Sequence, residues 1–198
     1  MANWLSSDLC PLPTCGEQTH GRSPEQVGRS GLGRPRPEPT QEDHFTPAAS
    51  RHFHDGDYLR KGRRLPSADH LYGFAAECAV KSLLLRFTDV TIGPLEGEGE
   101  EKPSAKPRAR HPEDSEQITE FGHVNELVRE IKLFAIGRSG APLHALLDSD
   151  LRVFKKWNVK YLYYDGRWAQ ADVVDKRRDT ALRILVLHEE AVINRRLP

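Results

Sequence analysis

The stretch Pro66-Ser-Ala-Asp-His-Leu-Tyr-Gly-Phe-Ala-Ala-Glu-Cys-Ala-Val-Lys-Ser-Leu-Leu-Leu-Arg-Phe87 decides the fold. Leu71, Phe74, Ala75, Cys78, Ala79 and Leu85 recur in it at steps of three and four, the period of one apolar helix face. Pro66 and Ser67 suit a first turn, where a missing backbone N–H costs nothing. The small residues Ala75, Ala76, Cys78 and Ala79 leave room for a neighbouring helix to approach closely.

The same period continues on the C-terminal side. From His123, the residues Val124, Leu127, Val128, Ile131, Phe134 and Ala135 mark a second helix, with Gly137 as its stop. A third runs from Pro142 through Leu143, Leu146, Leu147, Leu151, Phe154 and Trp157. Residues 161–164 lack a partner strand and read as an extended corner closed by Asp165-Gly166. The longest helix spans 168–195, with Val174, Ala181, Leu185 and Val192 on its buried stripe. A shorter amphipathic turn over 53–61 precedes the first helix. The expected fold is all-α, an up-and-down bundle of four main helices.

Outside these periods the composition changes. Residues 1–50 hold seven of the fourteen prolines and no apolar period, so they read as a disordered arm that cannot offset the entropy of ordering. Residues 51–198 are then the folded domain, interrupted at about 90–117 by a charged loop: Glu96, Glu98, Glu100 and Glu101, then Lys102, Lys106, Arg108 and Arg110. Counting Gly as apolar and Tyr as polar gives roughly 42% apolar residues, below the usual 45–50% or so. No apolar run approaches the roughly 20 residues that span a bilayer, and the first ten residues lack a secretory pattern. Three cysteines are too few for a disulfide framework. These features exclude a membrane-spanning reading and lead to the expectation of a cytoplasmic protein.

Chemistry-bearing residues gather in three places. His70, Gly73, Glu77 and Lys81 share one helix face, and with His123 from the next helix they would make a small polar pocket for a nucleotide or other phosphorylated ligand. Glu77 to Lys81 is also the favourable order for an ordinary ion pair. The net charge is zero over the whole chain, yet Lys155, Lys156 and Lys160, and Lys176, Arg177 and Arg178, form two basic clusters that would draw RNA phosphates. A solvated helix face accounts for the same residues. The third place is the last helix, where Arg183 and His188 stand five residues apart, about 140° around it. Cys10, Cys15 and His20 lack a fourth ligand at a zinc-like spacing, and there is no phosphate-binding loop or nucleophile elbow. No metal or cofactor is expected.

The segment from Ser67 to Leu84, with Glu77 and Lys81 following Ala75-Ala76, resembles the second helix of the HEPN superfamily. Gly122-His123-Val-Asn-Glu-Leu127 is similar to the start of that family's third helix, and Trp157 and Tyr161 fall where related chains carry a tryptophan and a tyrosine. The resemblance covers roughly residues 55–195. It implies a helical bundle, often a homodimer, whose members include metal-independent ribonucleases of toxin–antitoxin or defence systems, partners of small nucleotidyltransferases, and silent binding domains. It also implies roles for Arg183 and His188, since the nuclease members carry Arg, four to six residues, then His, with a polar residue after the Arg. Here Ile184 takes that polar place, and three other pairs match the spacing: Arg63 and Arg64 with His70, and Arg138 with His144. In the catalytic reading His188 moves a proton at the ribose 2′-hydroxyl or leaving oxygen, and Arg183 stabilises charge on the phosphorane. In the alternative His188 is a packed core or interface histidine, and the chain is a noncatalytic helical module docking on a nucleotidyltransferase or other partner.

Overall fold

A helix buried around most of its circumference is the axis of the structure. This is α2, Leu65–Phe87, in a computed structural model that describes residues 41–93, 95, 106–111, 114, 116–134 and 140–197. Tyr72, Ala75, Ala76, Ala79, Val80, Leu83 and Leu84 are sealed from solvent along it. Four further α-helices complete the described helical set: α1 (Gln41–Lys61), α3 (Val124–Phe134), α4 (Gly140–Leu151) and α5 (Ala171–Asn194). The expected all-α class holds, with two corrections at the N-terminal side and in the charged loop.

The first correction is α1. Its last turns coincide with the turn expected over 53–61, but the helix begins ten residues inside the stretch read as a disordered arm, and Ala49 and Phe53 are core residues. The polar start and Pro47 hide the periodicity; what stabilises the early turns is tertiary packing, which propensity does not encode. Residues 1–40 lie outside the described residues. α1 and α2 form a hairpin through Gly62, Arg63 and Arg64, with Arg63 in the left-handed region at φ 57°.

The second correction is at residues 90–117. Val90 is buried, Thr91 bridges to Arg108, and Arg108–Arg110 pairs antiparallel with Ile118–Glu120 as strands β1 and β2. The ladder brings Phe121 into the core ahead of α3. Glu96, Glu98, Glu100, Glu101 and Lys102 lie outside the described residues.

After α4 the chain tightens into a 3-10 turn, Arg152–Phe154, and Trp157 enters the core with its indole N–H donating to the Asp69 carbonyl at 3.2 Å. A second 3-10 helix, Val159–Tyr163, replaces the expected extended corner. Asn158 starts it by accepting the Lys160 backbone N–H at 2.8 Å, an N-cap that the sequence reading overlooked.

Trp157 lies directly on Gly73 of α2, so close that a Cβ there would overlap the indole ring. Alanine gains about 0.5–1 kcal/mol of helix propensity over glycine, but overpacking a filled core costs about 1–3 kcal/mol. Gly73→Ala is therefore expected to lower stability, read as a fall in the midpoint of a urea melt followed by circular dichroism; an unchanged or raised midpoint contradicts this packing.

Candidate functional site

The face of α2 that carries His70, Gly73, Glu77 and Lys81 does meet His123, as expected. Glu77 is buried, and its carboxylate accepts from Lys81 Nζ at 2.7 Å, from His123 Nδ1 at 3.2 Å and from the Val124 backbone N–H at 3.2 Å. Val124 opens α3, so Glu77 satisfies an orphan donor at that helix start and sits at the positive end of its dipole. Burial alone raises a carboxyl pKa, but the hydrogen bond from His123 and the Lys81 charge outweigh it and hold Glu77 below the ordinary range. The same bond holds His123 above its ordinary value.

This geometry corrects the expectation of a ligand pocket there. The small-residue face is filled by the chain's own Trp157, stacked on the His70 ring at 5.0 Å between centroids, with Phe74 edge-on to His70 at 4.9 Å. His70 is buried with both ring nitrogens lacking hydrogen bonds, and burial holds it below its ordinary pKa, neutral within an aromatic stack. The cluster fastens α3 to α2. Glu130, which the sequence reading missed, belongs to the same fastening: it accepts the Gly122 N–H at 2.9 Å, and burial pushes its carboxyl up to about 7.

Arg183 and His188 point to different neighbours. Arg183 is exposed and pairs with Asp150 at 2.7 Å. His188, 3% exposed, turns toward α1 and α2, with Nε2 at 3.0 Å from Ser82 Oγ and 3.4 Å from Thr46 Oγ1. Burial, then the Arg86 charge, lowers its pKa. The two side chains do not converge within one chain, as their 140° offset of roughly two-fifths of a turn requires.

The basic clusters divide sharply. Arg177 is buried in an ion pair with Asp69 at 2.7 Å, and Arg178 grips Asp57 through two nitrogens at 2.6 and 2.9 Å. Both are therefore committed to packing rather than to an RNA surface. Asp69 was the overlooked signal, an acid within an apolar helix that needs a buried cation. Burial raises its pKa against the pull of Arg177.

Lys155, Lys156, Lys160 and Lys176 are exposed and, among the described residues, unpaired with any carboxylate. Lys155, Lys156 and Lys176 surround a groove of about 410 Å3 over the first turn of α5, floored by Arg177 and edged by Arg152 and Asp172. Arg152 and Lys155 also belong to a second groove of about 490 Å3 that reaches Arg129 on α3. Three ammonium groups and the N-terminal end of a helix together favour anionic oxygens. Asp172 opposes them at the first groove, and Asp148, paired with Arg152 at 2.7 Å, at the second.

No family model, curated protein or solved structure matches the chain. Among the described residues, no three His, Cys, Asp or Glu side chains are grouped to hold a metal ion, and no helix is long and apolar enough to cross a membrane.

The buried titratable groups give opposite pH signatures. An unfolded chain protonates histidine near pH 6.5 or so, while buried His188 resists, so its contribution is complete above that value and fades as pH falls. Glu130 has a raised folded pKa, so its burial penalty is largest above about pH 7 and is relieved on acidification. His188→Gln is thus expected to lose less melting temperature than wild type between neutral and mildly acidic buffer. Glu130→Gln, which keeps an acceptor for Gly122, is expected to gain a few degrees over wild type in mildly alkaline buffer and less in acid. Parallel pH profiles for all three proteins contradict these assignments.

Proposed function

We propose that this chain is a HEPN-like helical domain that binds the phosphate backbone of RNA along the Lys155, Lys156 and Lys176 groove, without cleavage by Arg183 and His188. The observation that carries the reading is the set of unpaired lysines over the first turn of α5, joined through Arg152 and Lys155 to the groove leading to Arg129. Exposed lysines spread over two adjoining grooves, with Asp172 and the Arg152-paired Asp148 as the opposing charges, suit a polyanion better than a mononucleotide, because successive phosphates each release counterions. The HEPN-like element comes from the sequence resemblance, and the contact of Glu77 with both Lys81 and His123 is consistent with it. Cleavage is left out because general acid–base chemistry needs a histidine within hydrogen-bond reach of the reacting oxygen. The His188 ring is instead enclosed by Ser82 and Thr46.

A second reading, a noncatalytic module docking on a second copy or on a nucleotidyltransferase, is favoured by Leu182, Val186 and Ile193. These stand exposed on α5, Ile193 at 79%. The two readings are compatible, since the stripe lies C-terminal to the groove on the same helix.

The test is RNA binding by anisotropy over a series of salt concentrations, with cleavage followed in parallel in excess EDTA. Lys155→Ala, Lys156→Ala and Lys176→Ala are each expected to weaken binding and to reduce the log–log salt slope by about 1. Arg183→Ala is expected to bind as wild type does, and the RNA is expected to remain intact. Salt-independent binding, or cleavage abolished by both Arg183→Ala and His188→Gln, would refute the reading.

A further inference from the structure

Between Trp157 and Ala169 the chain is anchored at both ends yet holds aromatic rings in water. Trp157 and Ala169 are buried, Gly166 (φ 79°) packs against the Pro66 ring, and the 3-10 helix between them, with its C-cap Tyr164, exposes Leu162, Tyr163 and Tyr164, Tyr163 at 83%. Tyr161 lies beneath, stacked on Trp168 at 4.6 Å and 36° and against Tyr164 at 5.7 Å. A frayed loop does not explain this arrangement, because Asn158 caps the segment and the Tyr161–Trp168 stack supports it from below. Large apolar rings ordered in solvent mark a surface that something covers.

The neighbouring charges indicate what covers it. Lys160 lies at the start of the same 3-10 helix, exposed and unpaired among the described residues, and Lys155 and Lys156 precede it by five and four residues. Arg167 follows, held by Asp165 at 3.1 Å. Seven residues separate Lys156 from Tyr163, so even a fully extended chain would set them no more than about 25 Å apart. That reach falls within the roughly 4–16 nucleotides covered by a compact single-strand-binding surface. Aromatic faces beside a cationic groove are the two components that bind unpaired strands, one stacking bases and the other tracking phosphates.

We infer that Tyr163 and Tyr164 form a base-stacking platform, so that the RNA taken by this domain is single-stranded, its phosphates on Lys155, Lys156 and Lys160 and its unpaired bases on the tyrosine rings. The inference rests on the groove reading above and adds a selectivity to it. A duplex keeps its bases stacked internally and offers the rings nothing, whereas the lysines alone accept either form.

The experiment uses the full chain with labelled oligouridine and oligoadenosine of about twelve nucleotides and an RNA duplex of the same length, at matched salt. Tyr163→Ala and Tyr164→Ala are expected to weaken single-strand binding about 5- to 100-fold while leaving duplex binding unchanged, and Tyr163→Trp and Tyr164→Phe to retain it. Unaltered circular dichroism spectra and melting temperatures confirm that the variants are folded. Single-strand binding that depends on Lys155 and Lys176 but not on either tyrosine overturns the platform and leaves the groove reading standing. Equal affinity of wild type for duplex and single strand overturns it in the same way. Absence of binding to any RNA overturns both.

Discussion

Burying α2 on nearly every side forces the charges it carries to find partners inside the protein, while His70 stays neutral among aromatic rings, and the remaining helices are positioned by those partners. Asp69 takes Arg177 from α5, Glu77 takes His123 and the first N–H of α3, and Ser82 takes His188. An unpaired buried charge costs several kcal/mol, so losing one member of such a pair is far worse than never having had the pair, by about 3–5 kcal/mol. Gly73 adds the steric counterpart, a bare helix surface on which Trp157 rests.

The groove inherits its position from this constraint. Arg177 is locked to Asp69, which fixes the adjacent Lys176 on the outward side of α5. Trp157, seated on Gly73 and bonded to the Asp69 carbonyl, fixes the turn that carries Lys155 and Lys156. The core pairs thus define a cationic surface without belonging to it. Arg178 shows the same division: its guanidinium holds Asp57 and lies over Phe53 at 5.5 Å from the ring centroid, joining α5 to α1.

What the sequence disclosed follows the range of the interactions involved. The apolar periods of α2, α3, α4 and α5 were legible because each repeats over three turns or more. The start of α1 was not, since Gln41, Glu42, Asp43 and His44 carry no apolar period and only the packing of Ala49 and Phe53 reveals the helix. Two three-residue strands are too short to alternate visibly. Lys155, Lys156, Lys160 and Lys176 were legible as basic clusters, and the meeting of Glu77 and Lys81 with His123 was legible from spacing and resemblance. Which arginines were already spent was not, because Asp57 and Asp69 lie more than a hundred residues away in the chain. The spacing of Arg183 and His188 suggested a pair that their opposite helix faces separate.

The most direct measurement of the central claim is amide chemical-shift mapping by NMR as single-stranded RNA is added. The account predicts perturbations concentrated at 152–156, 160–167 and 172–176, with the His188 ring resonances unmoved. Perturbations centred on Arg183 and His188, with the lysine groove silent, would contradict it.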